Sequence, residues 1–318
     1  MFHRVTGWSL WIGALWLATA SAASTPVRFF ALGDVPYFRA ETPQMIDLLD
    51  QAVAEGAPFL IHVGDIKAGS TPCTDENLHE IAAIFRRQPV PVVYTPGDNE
   101  WTDCHRAAAG AHDPLARLQR VREIFFADPS VLRRAQLDLV EEVSHDAPGF
   151  PEQFAFMHED VLFVALHVVG SNNGYRAEDP AAVAEFETRD RANVRFLAAM
   201  GEVARTRAAR AMVLIFHANP QFERTPPSRG FVRMHEAFID LMNAYPGPVL
   251  ALHGDTHRFR HDHPLRDPAS GEPFRRFVRA EVPGSPLVGG LWIRIDPEHS
   301  EVFEVRVEYP ISRDRFMP

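Results

Sequence analysis

The 318-residue sequence predicts an α/β fold in which two packed sheets carry helices on their outer faces. Three observations lead there. Short β-rich runs alternate with helical stretches from Val27 to Phe126, the pattern of strands laid parallel by intervening helices. Beyond Pro148 two apolar runs separated by a short polar turn introduce antiparallel pairing. The composition, 46% hydrophobic and 23% charged, is that of a chain able to bury a sizeable core.

Residues 27–32 read as the first strand. Residues 42–55 form a helix with Met45, Ile46, Leu48, Leu49 and Val53 on one face, and residues 58–63 complete a βαβ unit. A helix over 75–87, a strand over 90–94 and a helix over 114–126 repeat the alternation. Residues 152–157 and 161–169, joined by His158-Glu159-Asp160, read as a hairpin. A long helix over 181–207 leads into a strand at 211–216, and a helix over 232–244 leads into a strand at 248–252. The stretch 277–309 is β-rich, with strands at 291–295 and 302–307. No repeat, low-complexity tract or long linker divides residues 23–318, which predicts one domain.

Residues 1–22 read as a signal peptide: Arg4 opens it, Trp8 to Leu17 is its apolar stretch, and Ala20-Ser21-Ala22 offers a cleavage site. A spanning helix needs about 20 apolar residues, and Thr19, Ser21, Ser24, Thr25 and Pro26 interrupt the run. The mature chain is therefore expected to be periplasmic or secreted, without a stable membrane anchor. Its net charge is −10, or −11 once Arg4 is removed, a surface that repels polyanions and argues against nucleic acid as a partner. Cys73 and Cys104 make an even cysteine count in an exported chain, which predicts a disulfide closing a loop of about 30 residues.

Polar residues with ligand chemistry gather at the carboxyl ends of the predicted strands, the edge where open α/β sheets bind ligands. The strands run into Gly33-Asp34, Gly64-Asp65, Pro96-Gly97-Asp98-Asn99-Glu100, His217, and His253-Gly254-Asp255-Thr256-His257. One Gly-Asp is ordinary turn chemistry. A cluster of carboxylates at one edge is repulsive unless cations neutralise it, which points to divalent metal and, with a shared carboxylate, to two ions roughly 3.5–4 Å apart.

The series Gly-Asp-x-x, Gly-Asp, Gly-Asp-Asn-Glu, His-Ala-Asn-Pro and Gly-Asp-Thr-His, spanning about residues 27 to 296, resembles the calcineurin-like metallophosphoesterase family. That resemblance implies a four-layer α/β/β/α sandwich of two mixed sheets flanked by helices. It also implies Asp34 and His257 on a first metal, Asp65 bridging, and His217 on a second. Three positions depart from the family pattern. Pro36 stands where the first motif has its His. A gapless match puts Asp98 on the second ion and Asn99 at the family's catalytic His, whereas a one-residue slip makes Asn99 the ligand. Asp255 replaces the first His of the last motif, with His253 near enough to substitute. Carboxylate in place of imidazole hardens the site and favours Mn, Fe or Mg over Zn.

The activity this implies is hydrolysis of a small-molecule phosphomonoester or phosphodiester through a metal-bridging hydroxide. His105 is a candidate general acid, with a loop histidine beside the disulfide as its alternative. Asn172, Asn173 and Arg176 are candidate phosphate donors at the same rim, with an Asn-Gly turn as theirs. A second expectation is a degenerate member of the fold that binds rather than hydrolyses, since Pro36, Asn99 and Asp255 all fall at chemical positions.

Overall fold

Strand β1 (Val27–Leu32) shows how the layers arise, because its side chains point alternately to opposite faces. Phe29 and Ala31 enter a core between two sheets, while Phe30 and Leu32 enter a second core beneath the helices Thr42–Ala54 and Asp75–Arg87. The computed structural model describes residues 25–140 and 149–310 together with Met1; the expected signal peptide, Met1 apart, lies outside the described residues.

The first sheet has the order β12 (Phe303–Glu308), β11 (Gly290–Ile295), β1, β2 (Leu60–His62), β3 (Val92–Tyr94). The second runs β4 (Asp138–Leu139), β5 (Phe154–His158), β6 (Val161–Ala165), β7 (Ala211–Ile215), β8 (Val249–His253), β10 (Phe277–Glu281), β9 (Arg260–Asp262). A third core lies between the second sheet and the helices Pro180–Thr206 and Val232–Ala244. The expected layering of two mixed sheets flanked by helices is thus present.

The predicted separation into a parallel half and an antiparallel half needs correction. The last two strands return to the first sheet, where β11 pairs antiparallel with β1 in the register Phe29↔Ile293. This places Leu291, Ile293 and Ile295 in the inter-sheet core. Parallel pairing recurs in the second sheet, through β6, β7, β8 and β10. The predicted helix 114–126 is α-helical only over Pro114–Val121 and continues as a π turn over Arg122–Phe126, which buries Ile124, Phe125 and Phe126.

Aromatic packing fixes the two sheets against each other. Phe163 contacts Phe29 and Phe59 edge-on at centroid distances of 5.2 and 5.1 Å and stacks on Phe156 at 4.8 Å. Each such buried ring contributes about 1.5–3 kcal/mol of transfer free energy. At the edge where the parallel strands end, Thr95 Oγ1 donates to the Leu166 carbonyl across the sheet interface at 2.8 Å. The carboxyl ends of both sheets therefore face one crevice.

Candidate metal centre

Three of the four acids that follow the parallel strands are themselves in the left-handed region: φ is 54° at Asp34, 55° at Asp65 and 83° at Asp255, with 61° at His257. Non-glycine residues adopt this conformation at a cost and concentrate at functional sites. The neighbouring glycines supply room. A Cβ at Gly64, itself at φ 99°, would lie 2.5 Å from the Gly97 backbone nitrogen, so the second and third motifs approach only because both carry glycine.

Two groups of ligand atoms result. Asp34, Asp65 and His217 form one, and Asp98, His217 and Asp255 the other; within each, the ligand atoms lie within 4.8 Å of one another. The Asp255 backbone N–H donates to Asp34 Oδ1 at 3.0 Å, so the two groups adjoin. His217 belongs to both. Its Nδ1 donates to the Val63 carbonyl at 2.9 Å, leaving Nε2 to face Asp98 Oδ1 at 3.0 Å and Asp65 Oδ1 at 3.4 Å. His257 is held the same way, with Nδ1 on the Ser285 carbonyl at 2.6 Å and Nε2 3.7 Å from Asp34 Oδ1.

Burial is the chief cause that pushes Asp34 up to about 8, with Asp255 adding to it and His217 opposing. Burial likewise pushes Asp255 up to about 6 and raises Asp65 well above the carboxylate range. At Asp98 burial acts in the same sense, but the His217 hydrogen bond and charge and the Ser171 hydroxyl outweigh it and hold the group below its ordinary value. His217 is raised: burial alone would lower it, and the surrounding carboxylates prevail. The cluster is therefore an acidic pocket seeking positive charge. Oxygen donors with one or two neutral imidazoles suit a divalent ion, so the residues present fit the metals that this fold implies.

Tyr37 is one site residue that the sequence does not single out. Its hydroxyl donates to Asp65 Oδ2 at 2.6 Å, accepts from Asn99 Nδ2 at 2.9 Å and stands 3.1 Å from His257 Nε2. Asn99 also donates from Nδ2 to Asp65 Oδ2 at 2.5 Å and from its backbone to Asp65 Oδ1 at 3.1 Å. Asp98 enters a ligand group, while Asn99 supports Asp65.

His253 lies outside both groups: its ring stacks on Phe216 and its Nδ1 meets the Gly254 carbonyl at 2.9 Å. Strand parity decides this, because Leu250 and Leu252 point between the sheets and His253 consequently points to the helix side. His105 binds the Thr102 carbonyl through Nδ1 at 2.7 Å and is exposed. Asn173 is buried, accepting from Val169 N and Arg189 and donating to the Gly230 carbonyl. Asn172 is bonded to Gly230 and Tyr175, and Arg176 pairs with Asp179 at 2.6 Å. In these contacts the three stabilise a turn, with Ser171, Asn172 and Asn173 all at positive φ, and the turn presents Ser171 to Asp98. Cys73 and Cys104 are bonded, with Cα atoms 5.8 Å apart, and both sulfurs lie against the Asn99 carbonyl.

No protein-family model and no curated protein matches the sequence. Solved structures do resemble it. A dimetal phosphatase from Danio rerio superposes with a TM-score of 0.50 at 12% identity, covering 89% of this chain and 99% of that one. PhoD superposes with a TM-score of 0.54 at 12% identity over 87% of this chain and 65% of its own. GAP50, the anchor in the inner membrane complex of Plasmodium, gives a TM-score of 0.50 at 10% identity over 90% and 89%. Two mixed sheets flanked by helices, on the same plan as these structures, give this chain the calcineurin-like metallophosphoesterase fold.

Proposed function

We propose that the protein is an exported, metal-dependent phosphoesterase acting on a small-molecule phosphate ester. The observation that carries the reading is the pair of adjoining acidic groups that share His217 at the carboxyl ends of five strands. With Nδ1 committed to Val63, His217 has one lone pair and serves one ion. Its shorter approach to Asp98 favours an ion that Asp98 and Asp255 would hold, with Asp34 and His257 available to a second ion and Asp65 placed to serve as the expected bridge. The oxygen-rich set favours Mn, Fe or Mg. Bound ions of this kind would orient phosphate oxygens and make a water-derived nucleophile available at neutral pH.

The chain's own part is positional. Val63 and Ser285 fix the imidazole tautomers, and Tyr37 and Asn99 hold the two oxygens of Asp65. In the gapless match Asn99 stands at the position of the resembled family's catalytic His, and its amide cannot deliver a proton. The Cys73–Cys104 bond supports a periplasmic or secreted location, since disulfides persist in oxidising compartments. Among the described residues no helix is long and apolar enough to cross a membrane.

Metal content of the purified protein, measured with hydrolysis of aryl phosphate esters before and after chelation and readdition of Mn²⁺, tests this directly. About two ions per chain with chelator-sensitive turnover is the expected result. A second reading, binding without hydrolysis, draws on Pro36 in place of a ligand His and on the likeness to GAP50, an anchor in the inner membrane complex of Plasmodium. Stoichiometric metal without turnover would favour it.

A further inference from the structure

We propose that Arg106 grips a free non-bridging oxygen of the substrate phosphate and so selects phosphomonoesters over diesters; this rests on the phosphoesterase reading above. Arg106 follows the 3-10 turn Thr102–His105 and is half-exposed at the mouth of the site. Its Nη1 lies 2.7 Å from Asp103 Oδ2, whose carboxylate is buried, and its Nη2 donates to Ser171 Oγ at 3.3 Å. Ser171 Oγ in turn donates to Asp98 Oδ2 at 2.8 Å. One hydroxyl therefore separates the guanidinium from the ligand group of Asp98, His217 and Asp255.

Gly69 marks the other side of the same space. A Cβ there would stand 2.8 Å from Asn99 Oδ1 and 3.2 Å from Arg106 Nη1, so guanidinium and carboxamide border one gap that glycine keeps open. The arm carrying Arg106 is fixed in place: Cys104 is bonded to Cys73, the Asp103 N–H donates to the Asp98 carbonyl at 3.0 Å, and the Cys73 N–H donates to the Ala109 carbonyl at 2.9 Å. Two other cations of this region are engaged elsewhere. The Lys67 ammonium is bonded to the Ala68 and Thr71 carbonyls, and Arg176 is paired with Asp179.

A guanidinium carries five N–H donors in a planar fork suited to phosphate oxygens, and the contacts to Asp103 and Ser171 leave donors for a ligand. A phosphodiester has two non-bridging oxygens, which ions held at the two adjoining groups would take up. A phosphomonoester has a third, and with it an additional negative charge. Only the monoester therefore offers the Arg106 fork an oxygen of its own.

The test compares wild type, Arg106→Ala and Arg106→Lys, each loaded with Mn²⁺ and checked for equal metal content. An aryl phosphomonoester and the matching diaryl diester are assayed for kcat/KM, and inorganic phosphate binding is measured by calorimetry. Arg106→Ala is expected to lose roughly 10- to 100-fold on the monoester and in phosphate affinity, the span of one charge-assisted contact, with little change on the diester. Arg106→Lys should recover part of the loss, keeping the charge without the fork. Equal losses on both esters, a wild type that prefers the diester, or unaltered phosphate affinity would overturn the proposal. If wild type binds phosphate through Arg106 yet turns over neither ester, the anion site stands and the hydrolase reading fails.

Discussion

The Tyr37 hydroxyl lies 2.6 Å from Asp65 Oδ2, so an aromatic side chain from the first motif holds the carboxylate of the second. Burial, reinforced by the charges of Asp65 and Asp34, raises the phenol well above its ordinary value, and the group acts as a donor. With Asn99 it fixes which Asp65 lone pairs remain for a cation. Outer-shell partners of this kind are worth 10–100-fold in metal affinity. Tyr37→Phe should accordingly release metal to a competing chelator at roughly 10–100-fold lower chelator concentration, with the fold intact by circular dichroism. Retention equal to wild type would show the hydroxyl to be dispensable.

Acid sensitivity follows from His62. Burial lowers it from 6.5 to about 4. Its Nε2 donates to the Val35 carbonyl at 3.0 Å, and its Nδ1 accepts from the Gly64 N–H at 3.2 Å, an arrangement open only to the neutral ring. Between those two values the unfolded chain binds a proton that the folded chain refuses, so stability rises with pH and falls on acidification. The slope approaches about 1.4 kcal/mol per pH unit for this one group. Urea midpoints at about pH 7 and about pH 5 should diverge less in His62→Gln than in wild type, since the amide keeps a donor for Val35 and does not titrate. An identical divergence in both would remove His62 as the cause.

How far the site could be read in advance depended on where each residue's placement was decided. Asp34, Asp65, Asp98, His217 and Asp255 were legible because an apolar strand followed by Gly-Asp or His fixes the position of the side chain within a residue or two. Strand parity was equally available for His253: Val249 and Ala251 pack under the helices, so the next odd position does too. Tyr37 was not legible, since the turn through Val35 and Pro36 sets its direction by contacts with three later motifs. Nor was Ser171. Asn172, Asn173 and Arg176 suit a phosphate and an Asn-Gly turn equally by side-chain chemistry, and the contact that ties Asn173 into the turn comes from Arg189, 16 residues further on. It binds both the side-chain and backbone oxygens of Asn173 from a fully buried position on the long helix.

The disulfide supports the same region. Cys73 and Cys104 are 31 residues apart, and chain entropy assigns such a loop about 3–4 kcal/mol of stabilisation. Reduction, or the paired changes Cys73→Ser and Cys104→Ser, should lower the thermal midpoint by roughly 5–10 °C. Because both sulfurs contact the Asn99 carbonyl, metal retention should weaken as well, even at temperatures where the protein stays folded. A midpoint that drops while metal affinity holds would confine the bond to a stability role.

Gly170 offers the sharpest separation of the two ligand groups. A Cβ at this position would lie 2.5 Å from Asp98 Oδ1 and 2.8 Å from Asp255 Oδ1, inside normal contact distance for both. The turn cannot easily retreat, because Arg189 holds Asn173 and the His167 carbonyl from behind. Nor can Asp98 rotate freely, since Ser171 and His217 bind its two oxygens. Gly170→Ala should therefore spread Asp98 from Asp255, with Asp34, Asp65 and His257 outside the direct contact. Elemental analysis should find metal content falling from about two ions per chain to about one, with circular dichroism unchanged. Loss of both ions would mean that the groups fill cooperatively, and loss of neither would mean that Asp98 and Asp255 do not share an ion.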